Sequence, residues 1–276
     1  MTTIDTATLT VPGAELYYEI RGNGPTLLIS QSGEGDARRT DDLVRQLEDS
    51  FTVVTYDRRG LSRSVIHDSR AVTMAVHADD AHRLLTAVTD EPAHMLGCSM
   101  GASIGLHLTV DHPEQLATLI AHEPVAPWLL PEAERTPHLR ELEHCQGVFH
   151  TDGWRAALAP MARTLGINPA DQEVEPDVHL PGFDDQRAAN FAYFLAHDFT
   201  AVREDDLNIP RLVAAPTRII PAVGRITPPM VFDRRCAVEL AALRSTAVTE
   251  FAGGHNGSMT HPRAYAATIR TLLAGH

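Results

Sequence analysis

Cysteine is scarce in this sequence. Cys98, Cys145 and Cys236 are an odd number, widely separated and without a Cys-x-x-Cys pair. Neither a disulfide framework nor a zinc site is indicated, and all three are expected as free thiols. Positive charge is also short: 23 basic side chains face 36 acidic ones, a net charge of −13. Affinity for a phosphate backbone comes from counterions released around Lys and Arg, so nucleic acid is not an expected partner. Long apolar runs are missing as well. Stretches such as Leu27 to Ile29 fall far short of the roughly 20 residues of a membrane helix. The opening MTTIDTATLT has no basic region leading into an apolar one, and the expectation is a cytoplasmic protein with no membrane partner. The glycine-rich turn Gln31-Ser32-Gly33-Glu34-Gly35 fits neither phosphate-binding pattern, G-x-x-x-x-G-K-S/T or G-x-G-x-x-G, so no nucleotide is expected. Asn256-Gly257-Ser258 is read as a chance match to a glycosylation acceptor.

What is present suits one large α/β domain with an insertion: 276 residues, 43% hydrophobic and 21% charged. After an N-terminal hairpin over residues 8–21, turning at Pro12-Gly13, strand-like and helix-like runs alternate. Strands are expected at 26–30, 51–56, 93–96 and 118–122, with helices at 37–49, 73–89 and 100–110 between them. Short apolar strands without polar alternation are what a parallel sheet covered by helices on both faces requires. Some ninety residues then pass before the next buried run, 217–223. Prolines separate helix-like stretches there, such as 139–149 and 186–197, so residues 124–211 are expected to form a helical lid inserted into a core of residues 1–123 and 212–276. A helix at 230–243, a strand at 247–251 and a helix at 263–273 complete the pattern. Pro221 is out of place in a central strand, because proline removes a ladder donor.

Gly97-Cys98-Ser99-Met100-Gly101 fits G-x-S-x-G directly after a strand and directly before a helix, where the motif has mechanical meaning. The glycines leave room for a tight turn that lifts the serine hydroxyl above the sheet edge. Ser99 is therefore the candidate nucleophile, and Cys98 is read as a small buried filler. Of 15 histidines, His255 falls in the loop Gly253-Gly254-His255-Asn256-Gly257 after the last strand, at the carboxyl end of the sheet, where ligands of open α/β folds bind. It is the candidate base, and the order serine first, histidine last fits the nucleophile-elbow enzymes.

The third member is less direct. The loop Gly224 to Pro229 holds no acid, and Asp233 is expected inside the following helix, turned away. Glu123 ends the strand after the nucleophile's helix, on the correct sheet edge, where its carboxylate could orient the histidine; a helix-cap or salt-bridge glutamate is the alternative. His122 is expected to face the other side. The oxyanion donors are expected to be the backbone N–H groups of Met100 and Gly33. Trp128 and Leu129, with Ser32, are expected to bind substrate, and the apolar residues at the lid start and around Phe191 and Phe194 suit an apolar one, though lid packing explains them equally well.

This constellation, with Tyr56 to Ser64 (YDRRGLSRS) after the third core strand, resembles the α/β-hydrolase superfamily over nearly the whole chain. Within it the chain is most similar to the zearalenone-type lactone hydrolases, on the Gly97-Cys98-Ser99 elbow with its Gly101-Ala102-Ser103 continuation, the His122-Glu123 pair and the His255 loop. The resemblance implies a Ser-His-Glu triad, hydrolysis of an ester or lactone without cofactor, and a lid that shapes the pocket. A homodimer is left open. The same triad also serves carbon–carbon bond hydrolysis and perhydrolysis, and the acid-free loop at Gly224 to Pro229 leaves room for a noncatalytic binding protein. Dehalogenation would need a carboxylate where Ser99 stands.

Overall fold

In the computed structural model, which describes residues 4–68, 71–180 and 182–274, the chain begins with the hairpin β1 (Ile4–Val11) and β2 (Ala14–Arg21), followed by β3 (Thr26–Ser30), α1 (Asp41–Leu47), β4 (Thr52–Tyr56) and the short β5 (Val65–Ile66). Then come α2 (Met74–Val88), β6 (Ala93–Cys98), α3 (Met100–Asp111) and β7 (Leu116–His122). Among the described residues five α-helices lie between β7 and the next strand: α4 (Glu132–Asp152), α5 (Trp154–Thr164), α6 (Asp185–Tyr193), α7 (Phe199–Arg203) and α8 (Ile209–Ala214). The chain closes with β8 (Arg218–Gly224), α9 (Phe232–Leu243), β9 (Thr249–Phe251), α10 (Gly257–Thr260) and α11 (Pro262–Leu273).

The sheet runs β1-β2-β4-β3-β6-β7-β8-β9, with β5 beside β2. Pairing is parallel from β4 to β9, and antiparallel only where β2 meets β1, β4 and β5. The inner strands lack polar alternation because both faces are covered. Leu28, Val54, Met95 and Leu119 pack in one core with residues of α2, α3 and the inserted helices. Their chain neighbours Leu27, Val53, Leu96 and Ile120 pack on the other face with α1 and α11.

Pro221 costs no ladder bond. The carbonyl of Ala222 accepts the Glu123 N–H across the β7 side at 2.9 Å, so Pro221, one residue earlier, turns its nitrogen toward β9. Pairing with β9 starts only at Ala222 opposite Thr249.

Several elements differ from the sequence pattern: Pro137 and Pro160, expected to separate helices, lie inside α4 and α5, and β5 answers to no expected strand. The helix expected at 37–49 is a 3₁₀ turn, Ala37–Thr40, capped by Asp36, followed by α1; Thr40, tied through its hydroxyl to Gln31, leaves helical geometry at φ −117°, ψ 25°. The helix expected at 186–197 is α6 followed by a π-helical turn, Phe194–Asp198. That turn carries Asp198, fully buried between Arg58 (3.3 Å) and His77 (3.2 Å), which ties the inserted helices to the sheet. Among the described residues no helix is long and apolar enough to cross a membrane.

Candidate active site

Ser99 sits between β6 and α3 with φ 55°, ψ −119°. A side-chain-bearing residue there stores about 1–3 kcal/mol of strain and persists only where its surroundings hold it. Here they do: its N–H donates to His122 O at 2.9 Å, and its carbonyl accepts from Ala102 N–H and Ser103 N–H. The flanking glycines are required by close approach. A Cβ on Gly101 would lie 2.1 Å from the Ser30 carbonyl oxygen, and one on Gly97 would lie 2.5 Å from Ala102 Cα. Gly101→Ala must push α3 off β3, and we expect it to lower stability by about 1–3 kcal/mol and to displace the hydroxyl; thermal unfolding with parallel rate measurement checks both. Burial drives the Cys98 thiol up to about 12, so it stays protonated.

Glu123 follows the last residue of β7 and also has a positive φ, 45°. Both carboxylate oxygens are used: Oε1 accepts the Gly224 N–H at 2.9 Å and Oε2 lies 2.7 Å from His255 Nδ1. Burial alone would raise this carboxyl, but the hydrogen bond from His255, helped by the nearby histidines and Gly224 N–H, holds it at about 2. An ionised Glu123 makes Nδ1 the protonated nitrogen of neutral His255. That leaves Nε2 as an acceptor, and it has no hydrogen-bond partner among the described residues. Burial disfavours the imidazolium, yet the hydrogen bond and charge of Glu123, with the charge of Asp233, raise its pKa above the ordinary value. His122, packed against Phe251 and Tyr265, is driven down to about 4 chiefly by burial and stays neutral.

Asp233 is not turned away. The loop after β8 indeed holds no acid, its Gly224 and Thr227 carbonyls being tied to Arg234. The second residue of α9, however, brings a carboxyl back, 1% exposed, with Oδ2 3.9 Å from His255 Nε2 and Oδ1 3.7 Å from His138 Nε2 of α4. Burial raises this carboxyl to about 6. The signal was legible: Asp233 heads the stripe Cys236, Ala237, Leu240, Ala241, all buried at i+3, i+4, i+7 and i+8.

Ser99 and His255 face one cavity of about 390 Å³, lined also by Met100, Gly33, Ser32 and Asp233, within the size range of small-molecule sites. Met100 opens α3, where a backbone N–H has no intrahelical partner. Arg58, 1% exposed, donates to the carbonyls of Gln31, Ser32 and Gly33. In a planar trans peptide the Gly33 N–H points opposite to the Ser32 carbonyl, hence away from Arg58. Phe191 and Phe194 line the cavity with apolar residues of α4 and α5. Trp128 and Leu129 do not. Trp128 is held elsewhere by its indole N–H, which donates to Asp205 at 2.7 Å, beside His107 of α3, and Leu129 packs against the core.

Residues 25–141 match a family described as alpha/beta hydrolase fold. Over 276 residues the chain is 32% identical to the uncharacterized hydrolase YraK of Bacillus subtilis (strain 168), covering 98% of this chain and 97% of that one. Among solved structures it is similar to a hydrolase from Pseudomonas aeruginosa PA01, with a TM-score of 0.74 at 23% identity over 98% of this chain and 99% of that one. It is also similar to a thermophilic esterase from Thermogutta terrifontis, with a TM-score of 0.73 at 21% identity over 99% and 98%.

Proposed function

Because the chain belongs to the α/β-hydrolase family, we propose that it is a serine hydrolase that cleaves a carboxylic ester or lactone through an acyl-enzyme on Ser99. One observation carries this reading: Glu123 fixes the Nδ1 side of His255 at 2.7 Å and leaves Nε2 open, in the cavity wall that also holds Ser99. Ser99 Oγ attacks the carbonyl carbon as its proton passes to His255 Nε2, and Glu123 stabilises the imidazolium. Gly33 and Met100 N–H groups hold the oxyanion. The imidazolium returns the proton to the leaving oxygen as the C–O bond breaks; in a lactone that hydroxyl stays tethered to the acyl chain. Water, deprotonated by the same nitrogen, then releases the acid and restores Ser99. The helices between β7 and β8, which supply much of the cavity wall, act as its lid.

A fluorophosphonate probe tests the reading. It should label the peptide containing Ser99 in the folded protein, with mass spectrometry placing the adduct, and leave the Ser99→Ala protein unmodified. An intact, unlabelled Ser99 peptide after prolonged exposure would return the chain to the binding-protein reading.

A further inference from the structure

Arg21, Arg58 and Arg203 each leave only a buried Nε without a partner among the described residues, their other nitrogens being engaged. Arg59 holds Asp80 through two nitrogens at 2.6 and 2.7 Å, and Arg58 holds three carbonyls and Asp198. Arg39 is different. It lies on the 3₁₀ turn after the Gly33 loop, its side chain only 9% exposed. Its Nη2 has a long contact to Glu34 Oε1 at 3.4 Å and one to Met259 Sδ at 3.3 Å, a weak acceptor. Its Nε and Nη1 are buried without a hydrogen-bond partner among the described residues. Leaving donors of a buried cation unmade is costly, and a native protein retains such a group where something else supplies the acceptor.

Arg39 lines the cavity that holds Ser99 and His255, and its contacts place it between the Gly33 loop and α10, the helix that follows the His255 loop. The nearby carboxylates are already engaged. Glu34 accepts from Arg187 Nε through both oxygens at 3.0 Å and from Arg187 Nη2 at 2.6 Å. Asp36 accepts from Arg38 and Ser62, and Asp184 caps α6 through the Arg187 N–H. Arg39 and Arg187 against Glu34 sum to about one unit of positive charge, offset in part by the exposed carboxylate of Asp184. The unmet donors, Nε–H and the Nη1 hydrogens, point to different sides of the guanidinium, so an anion in the cavity takes one of them as a charge-assisted hydrogen bond.

We propose that Arg39 is an anion subsite and that the ester cleaved at Ser99 bears a free carboxylate away from its scissile carbonyl. The proposal rests on the serine-hydrolase reading, and binding separates the two. Calorimetry on the Ser99→Ala protein, which cannot turn substrate over, compares monomethyl adipate with methyl hexanoate, two methyl esters of equal chain length that differ in the terminal carboxylate. A charge-assisted hydrogen bond to a buried guanidinium corresponds to about a tenfold to hundredfold preference for the half-ester. Adding Arg39→Gln should abolish that preference. Arg39→Lys should keep a reduced one, since it retains the charge without the planar fork, and this variant reads the same ratio where circular dichroism finds Arg39→Gln unfolded. Equal affinities, no binding of the half-ester, or a preference that survives either substitution undiminished would overturn the subsite. Wild-type protein that binds the half-ester with this preference but hydrolyses neither ester would leave the subsite standing and sink the serine-hydrolase reading instead.

Discussion

Ser99→Ala should lower kcat toward simple esters by about 10⁴- to 10⁶-fold while leaving KM within a few-fold, the scale seen when a triad nucleophile is removed elsewhere. The prediction follows from what the substitution spares. Gly97, Gly101 and the backbone bonds of residue 99 hold the elbow without help from the hydroxyl, and the cavity and both proposed oxyanion donors persist, so binding survives and only the proposed nucleophile goes. His255→Ala should cost about as much, because a serine hydroxyl without a base is scarcely nucleophilic. Once either is gone the other has nothing to act on, so the double variant should be little slower than either single one. Rates on 4-nitrophenyl butyrate, with active-site titration to remove contaminating esterase, measure all three. A Ser99→Ala protein keeping more than a tenth of the rate, or losses that multiply in the double variant, would place the chemistry elsewhere.

The elbow was readable in the sequence because its requirement is steric and local: no other residue fits between α3 and Ser30 at position 101, and the strand and helix on either side are periodic enough to recognise. The place of Glu123 beside His255 was readable because the order of strands sets the end of β7 next to that of β6. Directions over longer range were not. Trp128 is as apolar as a pocket residue, but its indole N–H needs an acceptor, and Asp205, 77 residues later, supplies one. Asp233 was judged by its distance from β8, whereas the apolar stripe of α9 was the better guide to where it points. The unmet donors of Arg39 depend on Glu34 being engaged by Arg187 from the inserted helices, a contact across 153 positions with no counterpart in local pattern. The break at Thr40 likewise rests on the hydroxyl bond to Gln31.

Glu123→Gln should lower kcat/KM by about 10³- to 10⁴-fold, and its direction of failure is set by Gly224. The Gly224 N–H donates to Oε1, so a glutamine at 123 must keep its carbonyl oxygen there and turn its amide NH₂ toward His255 Nδ1. The ring then carries its proton on Nε2 and cannot accept one from Ser99, the wrong-tautomer failure known from triads whose acid is replaced by its amide. The pH dependence moves as well. In the proposed mechanism neutral His255 is the working form, and its folded pKa lies above the ordinary value of roughly 6.5. Wild-type kcat/KM should therefore fall as pH drops through a midpoint above that value. Glu123→Gln removes the hydrogen bond and charge that raise the pKa and leaves the burial that lowers it, so the acid limb of the residual activity should shift to lower pH. Asp233→Asn takes away only the more distant charge, at 3.9 Å from Nε2, and should move the limb in the same direction by less. Because Asp233 itself titrates near 6, the wild-type limb belongs to the coupled pair rather than to His255 alone, and it should become a simple one-proton curve in Asp233→Asn. An acid limb at the same pH in wild type and Glu123→Gln, or a Glu123→Gln rate within tenfold of wild type, would show that Glu123 does not orient the base.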